Sequence, residues 1–182
     1  MALTKKEENR VVAKVFMCLS TVAAVVLLVV GVALWKVGAM AVSETNKGLV
    51  AQKIYFPPAG SPVFSAAAYP DIQSYGGKQV TDGGVAKVYA EKFLGEQLKL
   101  MAGGKTLSEV SAQLAVDPTN MQLQQLQGAM FQAEMSKGTL LADAYGTWTQ
   151  GNAYKTIGAV SLGLAMLLTL VAGAKYMYYK RS

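Results

Sequence analysis

The sequence predicts an all-α protein built on two transmembrane helices, with both termini in the cytoplasm and a small extracytoplasmic helical domain between the spans. Three observations carry this reading: two long uncharged runs, the distribution of basic residues around them, and a middle segment rich in helix caps. Val15 to Trp35 is a run of 21 residues without a charge. At 1.5 Å per residue it covers about 31 Å, the thickness of a bilayer core. Ile157 to Ala174 is a second uncharged run, of 18 residues, preceded by Tyr154 and Lys155 and followed by Lys175, Tyr176, Tyr178, Tyr179, Lys180 and Arg181. Such aromatic and basic residues mark a membrane interface. The predicted organisation is a cytoplasmic tail over 1–14, a span over 15–35, an extracytoplasmic domain over 36–155, a second span over 156–175 and a cytoplasmic tail over 176–182.

The net charge of +6 is a property of the ends. Lys5, Lys6, Arg10, Lys14, Lys175, Lys180 and Arg181 face only Glu7 and Glu8 in the two flanks, whereas the segment 36–155 holds ten lysines and nine carboxylates. Basic short flanks mark the cytoplasmic side, so the excess reports topology and not a nucleic-acid partner. A competing reading makes the first run a secretory signal with Ala39-Met40-Ala41 as its cleavage site. Twenty-one apolar residues exceed the 7 to 15 of a signal core, which favours an uncleaved anchor in the plasma (inner) membrane. Cys18, the only cysteine, lies in the first run. The outer domain therefore has no disulfide and rests on packing or on partners.

Beyond the first span, apolar residues at helical spacing carry the helix to about Lys53. Tyr55-Phe56-Pro57-Pro58 stops it, because adjacent prolines force extended geometry. An irregular Pro-containing loop to Val80 then holds Tyr55, Phe56, Phe64, Tyr69 and Tyr75, too many aromatics for a disordered linker, so they should pack on the helices or face the membrane surface or a partner. Thr81 or Asp82 can cap a helix through Val85, Val88, Tyr89, Phe93, Leu94, Leu98 and Met101, which Gly103-Gly104 ends. Thr106 and Glu109 have capping-box spacing for a short helix to about Ala115. After the turn Asp117-Pro118-Thr119-Asn120, a helix from Met121 runs without proline into the second span. Together these elements predict a small helical bundle standing on the bilayer.

The chemical inventory is narrow. With no histidine and no cysteine outside the first span, histidine-based metal sites and Ser-His or Cys-His nucleophile pairs are excluded, and no cofactor or metal is expected. Nine carboxylates remain in the middle segment: Glu44, Asp71, Asp82, Glu91, Glu96, Glu109, Asp117, Glu134 and Asp143. A carboxylate hydrolase needs two of them about 5 to 10 Å apart in a cleft. Most lie in caps or beside lysines, where solvated ion pairs are the ordinary role. Gly103-Gly104-Lys105-Thr106 imitates the end of a phosphate loop but lacks the first glycine, position 99 being lysine. No charge lies within Val15 to Trp35 or Ile157 to Ala174, so an ion pathway through these two helices has no chemical foothold.

Two sets of residues are candidates for contacts. Tyr55, Phe56, Phe64, Tyr69, Tyr75, Leu123, Leu126 and Met130 form a candidate interaction surface, and Ala159, Gly163, Thr169 and Gly173 are small-xxx-small pairs that permit close helix approach.

Through Tyr55-Phe56-Pro57-Pro58, Gly77-Lys78-Gln79-Val80-Thr81-Asp82-Gly83, Gly104-Lys105-Thr106-Leu107-Ser108-Glu109-Val110-Ser111 and Leu140-Leu141 with Tyr145 and Trp148, the chain resembles uncharacterised two-span membrane proteins of actinobacteria. The resemblance implies the same topology and a bacterial cell envelope, and no activity. The expected function is non-enzymatic, through contacts with membrane lipid and with other membrane subunits or further copies of the chain. An extracytoplasmic groove for a lipid or other hydrophobic ligand is the alternative, and a carboxylate hydrolase a third.

Overall fold

The computed structural model describes residues 5–181, which are helical throughout apart from loops and one isolated antiparallel bridge between Tyr55 and Gln79. Met1 to Thr4 and Ser182 of the predicted tails lie outside the described residues; the rest of both tails is helical. Two long helices dominate, α1 over Lys5–Ala51 and, as the last element, α6 over Thr139–Arg181. Between them come α2 (Gly83–Val88), α3 (Gly95–Met101), α4 (Leu107–Val116) and α5 (Met121–Ala133). A π-helical turn at Tyr89–Leu94 joins α2 to α3, and another at Glu134–Gly138 joins α5 to α6. The helical path from Met121 to Arg181 is therefore unbroken at Gly138 and Gly146, as that of α1 is at Gly38.

The chain divides into two compact units, one made of α1 up to Met40 with α6 from Gly151, the other of Ala41–Gln150. In the first unit both helices are long and apolar enough to cross a membrane, and they are bare. Only 17% and 11% of their most apolar windows are buried, whereas the core helix of a water-soluble protein is mostly covered. Val22, Val25, Val29, Leu164, Leu167 and Leu170 all lie exposed.

The two helices meet along a seam of small residues repeating every seven. On α1 the covered positions are Ser20, Ala24, Gly31 and Gly38, with Leu27 and Leu34 half-buried between them. Alternating steps of three and four are the spacing of a coiled-coil seam. On α6 they are Gly151, Gly158, Ser161 and Ala165. The backbones come close enough to exclude side chains: a Cβ on Gly158 would lie 2.7 Å from the Gly31 carbonyl oxygen and 2.8 Å from the Trp35 nitrogen. One on Gly38 would lie 2.8 Å from the Lys155 nitrogen. The predicted packing residues Ala159, Gly163, Thr169 and Gly173 do not form this seam. Ala159, Gly163 and Gly173 are exposed, and a Cβ on either of these glycines would meet nothing within 4 Å. The expectation tested steps of four, while an antiparallel helix pair in a shallow supercoil selects steps of seven.

Cation–π contacts close the seam at both ends. The Lys155 ammonium sits 5.9 Å from the centre of the Trp35 ring and the Lys175 ammonium 4.1 Å from that of Phe16. The uncharged band of each helix is thereby aligned with that of the other. From Phe16 to Trp35 that band is about 28 Å long at helical rise. Inside it the Thr21, Ser161 and Thr169 hydroxyls donate to carbonyls four residues back, at 2.8 to 2.9 Å, so these polar groups are satisfied within their own helices.

The second unit is held by an aromatic core. Phe56, Phe64, Tyr69, Tyr89 and Phe93 are buried together with Leu49, Ile72, Val80 and Leu141. A smaller core of Ala102, Val110 and Met130, flanked by Leu98, Leu107, Leu123 and Leu126, lies among α3, α4 and α5. Helix ends follow the predicted chemistry. Asp82 accepts from the Val85 amide at 3.0 Å, and Asn120 from that of Leu123 at 3.1 Å. Gly103 and Gly104, at φ +62° and +89°, end α3 with their amides on the Leu100 and Lys99 carbonyls, which is a Schellman stop rather than a phosphate loop.

Gly158→Leu is expected to destabilise the purified chain by about 1 to 3 kcal/mol through overpacking of the seam. Gly163→Leu adds the same side chain on open surface and is expected to leave the unfolding midpoint in detergent unchanged, so the pair of variants separates seam packing from bulk.

Candidate functional site

The feature of the second unit best suited to hold something is a groove of about 460 Å³ between α3 and the helical path from α5 to α6. This volume lies within the range of small-molecule sites. One wall consists of Ala90, Leu94, Gly95, Leu98 and Lys99; the other of Met130, Glu134, Gly138, Thr139 and Ala142; Thr106 and Leu107 close one end. Each wall thus contains residues of a π-helical turn, Ala90 and Leu94 from the first, Glu134 and Gly138 from the second.

The first π turn lies within a run of buried side chains. Ala86, Tyr89 and Phe93 are buried in α-helical steps, and the next buried residue is Leu94. A π turn takes in one extra residue, which rotates the side chains that follow it relative to those before it. As far as Leu94 the buried side chains belong to the aromatic core; downstream, Leu98 packs against both cores and Ala102 belongs to the smaller one. The second turn lies between Met130, buried in the smaller core, and Leu141, buried in the aromatic one. The turns meet where Leu94 approaches Gly138, whose added Cβ would lie 4.0 Å from the Leu94 Cδ2. A second depression, of about 630 Å³, shares Leu94 and Leu98 with the groove and is otherwise lined by Gln97, Met101, Ala129, Gln132, Ala133, Ser136 and Lys137.

The groove is apolar with few polar groups, and most of those are already engaged. The Lys99 ammonium is 2.8 Å from the Glu96 carboxylate. Thr139 donates to the Glu134 carbonyl oxygen at 3.3 Å. Thr106 belongs to the capping box: the Glu109 amide donates to its Oγ1 at 3.3 Å, while its own amide donates to Glu109 Oε2 at 2.7 Å. The Thr106 amide and hydroxyl, both donating to Glu109 Oε2, hold that carboxyl below its ordinary pKa, with Lys105 adding a smaller pull in the same direction. The Glu134 carboxylate is exposed and forms no ion pair among the described residues.

Most of the residues that the sequence offers as a contact surface are covered within the unit. Phe56, Phe64 and Tyr69 are buried, and Tyr75 packs on them half-buried; Phe56 alone makes ring contacts with Phe64, Tyr75, Tyr89 and Phe93 at centroid distances of 4.9 to 6.1 Å. They are core, because a disulfide-free domain of this size has few other large apolar groups to bury. Tyr55 is exposed. Leu123 and Leu126 are half-buried against the smaller core, and Met130, 2% exposed, is both core and groove floor. Burial pushes the Tyr69 and Tyr89 phenols up from their ordinary pKa, Glu96 adding to the effect at Tyr69. Sequence reasoning missed Ala90, Gly95, Gly138 and Ala142 as lining, small residues that no local pattern marks.

None of the nine carboxylates is buried. Asp82 and Glu109 cap helices, and Glu44, Glu91 and Glu96 lie 2.8 to 4.0 Å from Lys47, Lys87 and Lys99. Among the described residues no group of three acids or cysteines is placed to hold a metal ion. No family model, curated protein or solved structure matches this chain.

The capping box gives α4 a pH dependence of definite sign. A carboxyl whose pKa is lowered on folding stabilises the folded form above its unfolded pKa, and that contribution is lost as pH falls through the folded value. Amide hydrogen exchange in the first turn of α4 is therefore expected to lose protection on acidification from pH 6 to 3. Glu109→Gln is expected to flatten that dependence.

Proposed function

We propose that the chain is a two-span protein of a bacterial plasma (inner) membrane that works through protein contacts and not through catalysis, as an accessory subunit of a membrane complex or as a homo-oligomer. The single observation that carries the reading is the set of large apolar side chains left in the open away from the long-helix seam. Leu100, Met101, Val116, Met121, Phe131 and Met135 are 55 to 88% exposed. Fully burying such a side chain is worth about 1.5 to 3 kcal/mol, so a partner that covers several of them gains much of what a stable complex needs. Phe131 and Met135 stand four residues apart on one helical path, the spacing of a contact stripe.

The aligned uncharged bands of α1 and α6, bounded by Lys155 over Trp35 and Lys175 over Phe16, support placing both helices across the bilayer. The basic flanks support termini in the cytoplasm and residues 36–155 outside it. The resemblance to two-span envelope proteins of actinobacteria agrees with this topology.

Two measurements bear on the proposal. Asp117→Cys is expected to react with a membrane-impermeant maleimide on intact cells while Cys18 stays silent; labelling of position 117 only after lysis reverses the orientation. The tagged full chain in mild detergent is expected to run as a defined complex with itself or other membrane subunits. The double variant Phe131→Glu with Met135→Glu, exposed positions whose change leaves the core intact, is expected to shift it to monomer. A wild-type chain that is strictly monomeric at every detergent concentration overturns the proposal.

A further inference from the structure

We infer that the groove between the two π-helical turns is a binding site for a single-chain amphiphile with a cationic head, such as a long-chain amine. The inference stands independently of the partner proposal, because it uses residues that face the groove and not the exposed stripe of Phe131 and Met135.

Three features of the site converge. Its size is right, about 460 Å³, large enough for a small ligand's apolar body. Its surface is smooth and apolar: Ala90, Gly95, Gly138 and Ala142 offer little side-chain bulk, while Leu94, Leu98 and Leu107 supply hydrocarbon. Its electrostatics are one-sided. Of the two charged residues in the lining, Lys99 is neutralised by Glu96 at 2.8 Å, whereas Glu134 is exposed and has no ion pair among the described residues. A lone carboxylate beside a hydrocarbon slot complements one positive charge at the end of one apolar chain; an anionic amphiphile would meet Glu134 as a like charge.

The backbone supports the same conclusion. π turns are rare and occur often at functional sites. Here two lie on opposite walls and approach each other through Leu94 and Gly138, so the groove exists where both helices depart from α-helical register. An ordinary α-helical register through either wall would move one residue of lining out of place.

The test uses the full chain in lipid nanodiscs and a photoreactive dodecylamine carrying a diazirine in its chain, with the matching dodecanol as the neutral control. After irradiation, peptide mass spectrometry locates the adducts. The amine is expected to label the segments 90–99 and 130–142 above the background on the spans, and to do so two- to fivefold more than the alcohol. That range corresponds to a single exposed charge pair of up to about 1 kcal/mol. Glu134→Gln is expected to bring amine labelling down to the alcohol level. Ala142→Trp, at an exposed lining position, is expected to abolish labelling of both segments while leaving the circular-dichroism melting curve unchanged. Labelling confined to the spans overturns the inference, as does groove labelling unaffected by both variants; equal labelling by amine and alcohol removes the cationic head from it.

Discussion

The second unit depends on one contact more than on any other, the insertion of the Phe56 ring among Phe64, Tyr75, Tyr89 and Phe93. No disulfide is available to the segment, and its only ladder-like pairing is the single bridge of Tyr55 with Gln79 and its neighbouring amides. The loop from Pro57 to Val80 has no regular structure beyond short 3-10 turns at Pro62–Phe64 and Pro70–Tyr75, so its position has to be set by side chains. Phe56 and Phe64 reach from the loop to Tyr89 and Phe93 on the first π turn, and Gln73 ties the loop to itself through bonds to the Phe64 and Tyr69 carbonyls. Apolar burial sets the fold of this segment, and hydrogen bonding trims it.

A consequence is that the two cores are coupled through the helix that serves both. The buried series Ala86, Tyr89, Phe93 and Leu94 belongs to the aromatic core, Leu98 packs against both cores, and Ala102 belongs to the smaller one. The π turn along that series costs hydrogen-bond quality and packing along the helix axis, and it lies where one continuous segment passes from the first core toward the second. The groove is the space left where that compromise on one helix faces its counterpart on the other. Its place in the fold is thus a product of core packing before it is a product of any ligand, which is why the free carboxylate of Glu134, and not the cavity alone, distinguishes a site from a packing defect.

What could be read in advance follows the range of the forces involved. Asp82, Thr106 with Glu109, and Asn120 act within one helical turn, so their caps were legible from residue types three apart. The Gly103-Gly104 stop was legible for the same reason, since only glycine accepts two successive left-handed positions without strain. The two long helices were legible from length and the absence of charge. Phe56, Phe64 and Tyr69 were recognised as ordered, yet whether an aromatic-rich loop faces inward or outward depends on what the rest of the unit can offer it, and no local pattern settles that. The groove was out of reach because it arises from a one-residue change of phase. The apolar series Tyr89, Phe93, Leu94, Leu98 contained the step, and a continuous α-helical reading absorbs it.

The seam of α1 and α6 shows how the same residues support two rules, only one of which applies. Small residues four apart suit a right-handed crossing of two helices over a short distance. Helices that stay in contact from Ser20 to Gly38 instead need a repeat that keeps pace with the helical twist, and seven residues per two turns does so at the cost of a slight left-handed supercoil. Gly31 and Gly38 on one helix and Gly151 and Gly158 on the other satisfy that repeat. The glycines also remove the side chains that would hold the backbones apart, which brings the Trp35 and Phe16 rings within reach of Lys155 and Lys175 on the opposite helix. Ala159 and Gly163 are left on the outer surface, where their small size serves nothing within this chain. A second helix laid against that face would meet a backbone as accessible as the one that Gly158 presents to Gly31, and the contact would add apolar packing without any polar group needing a partner.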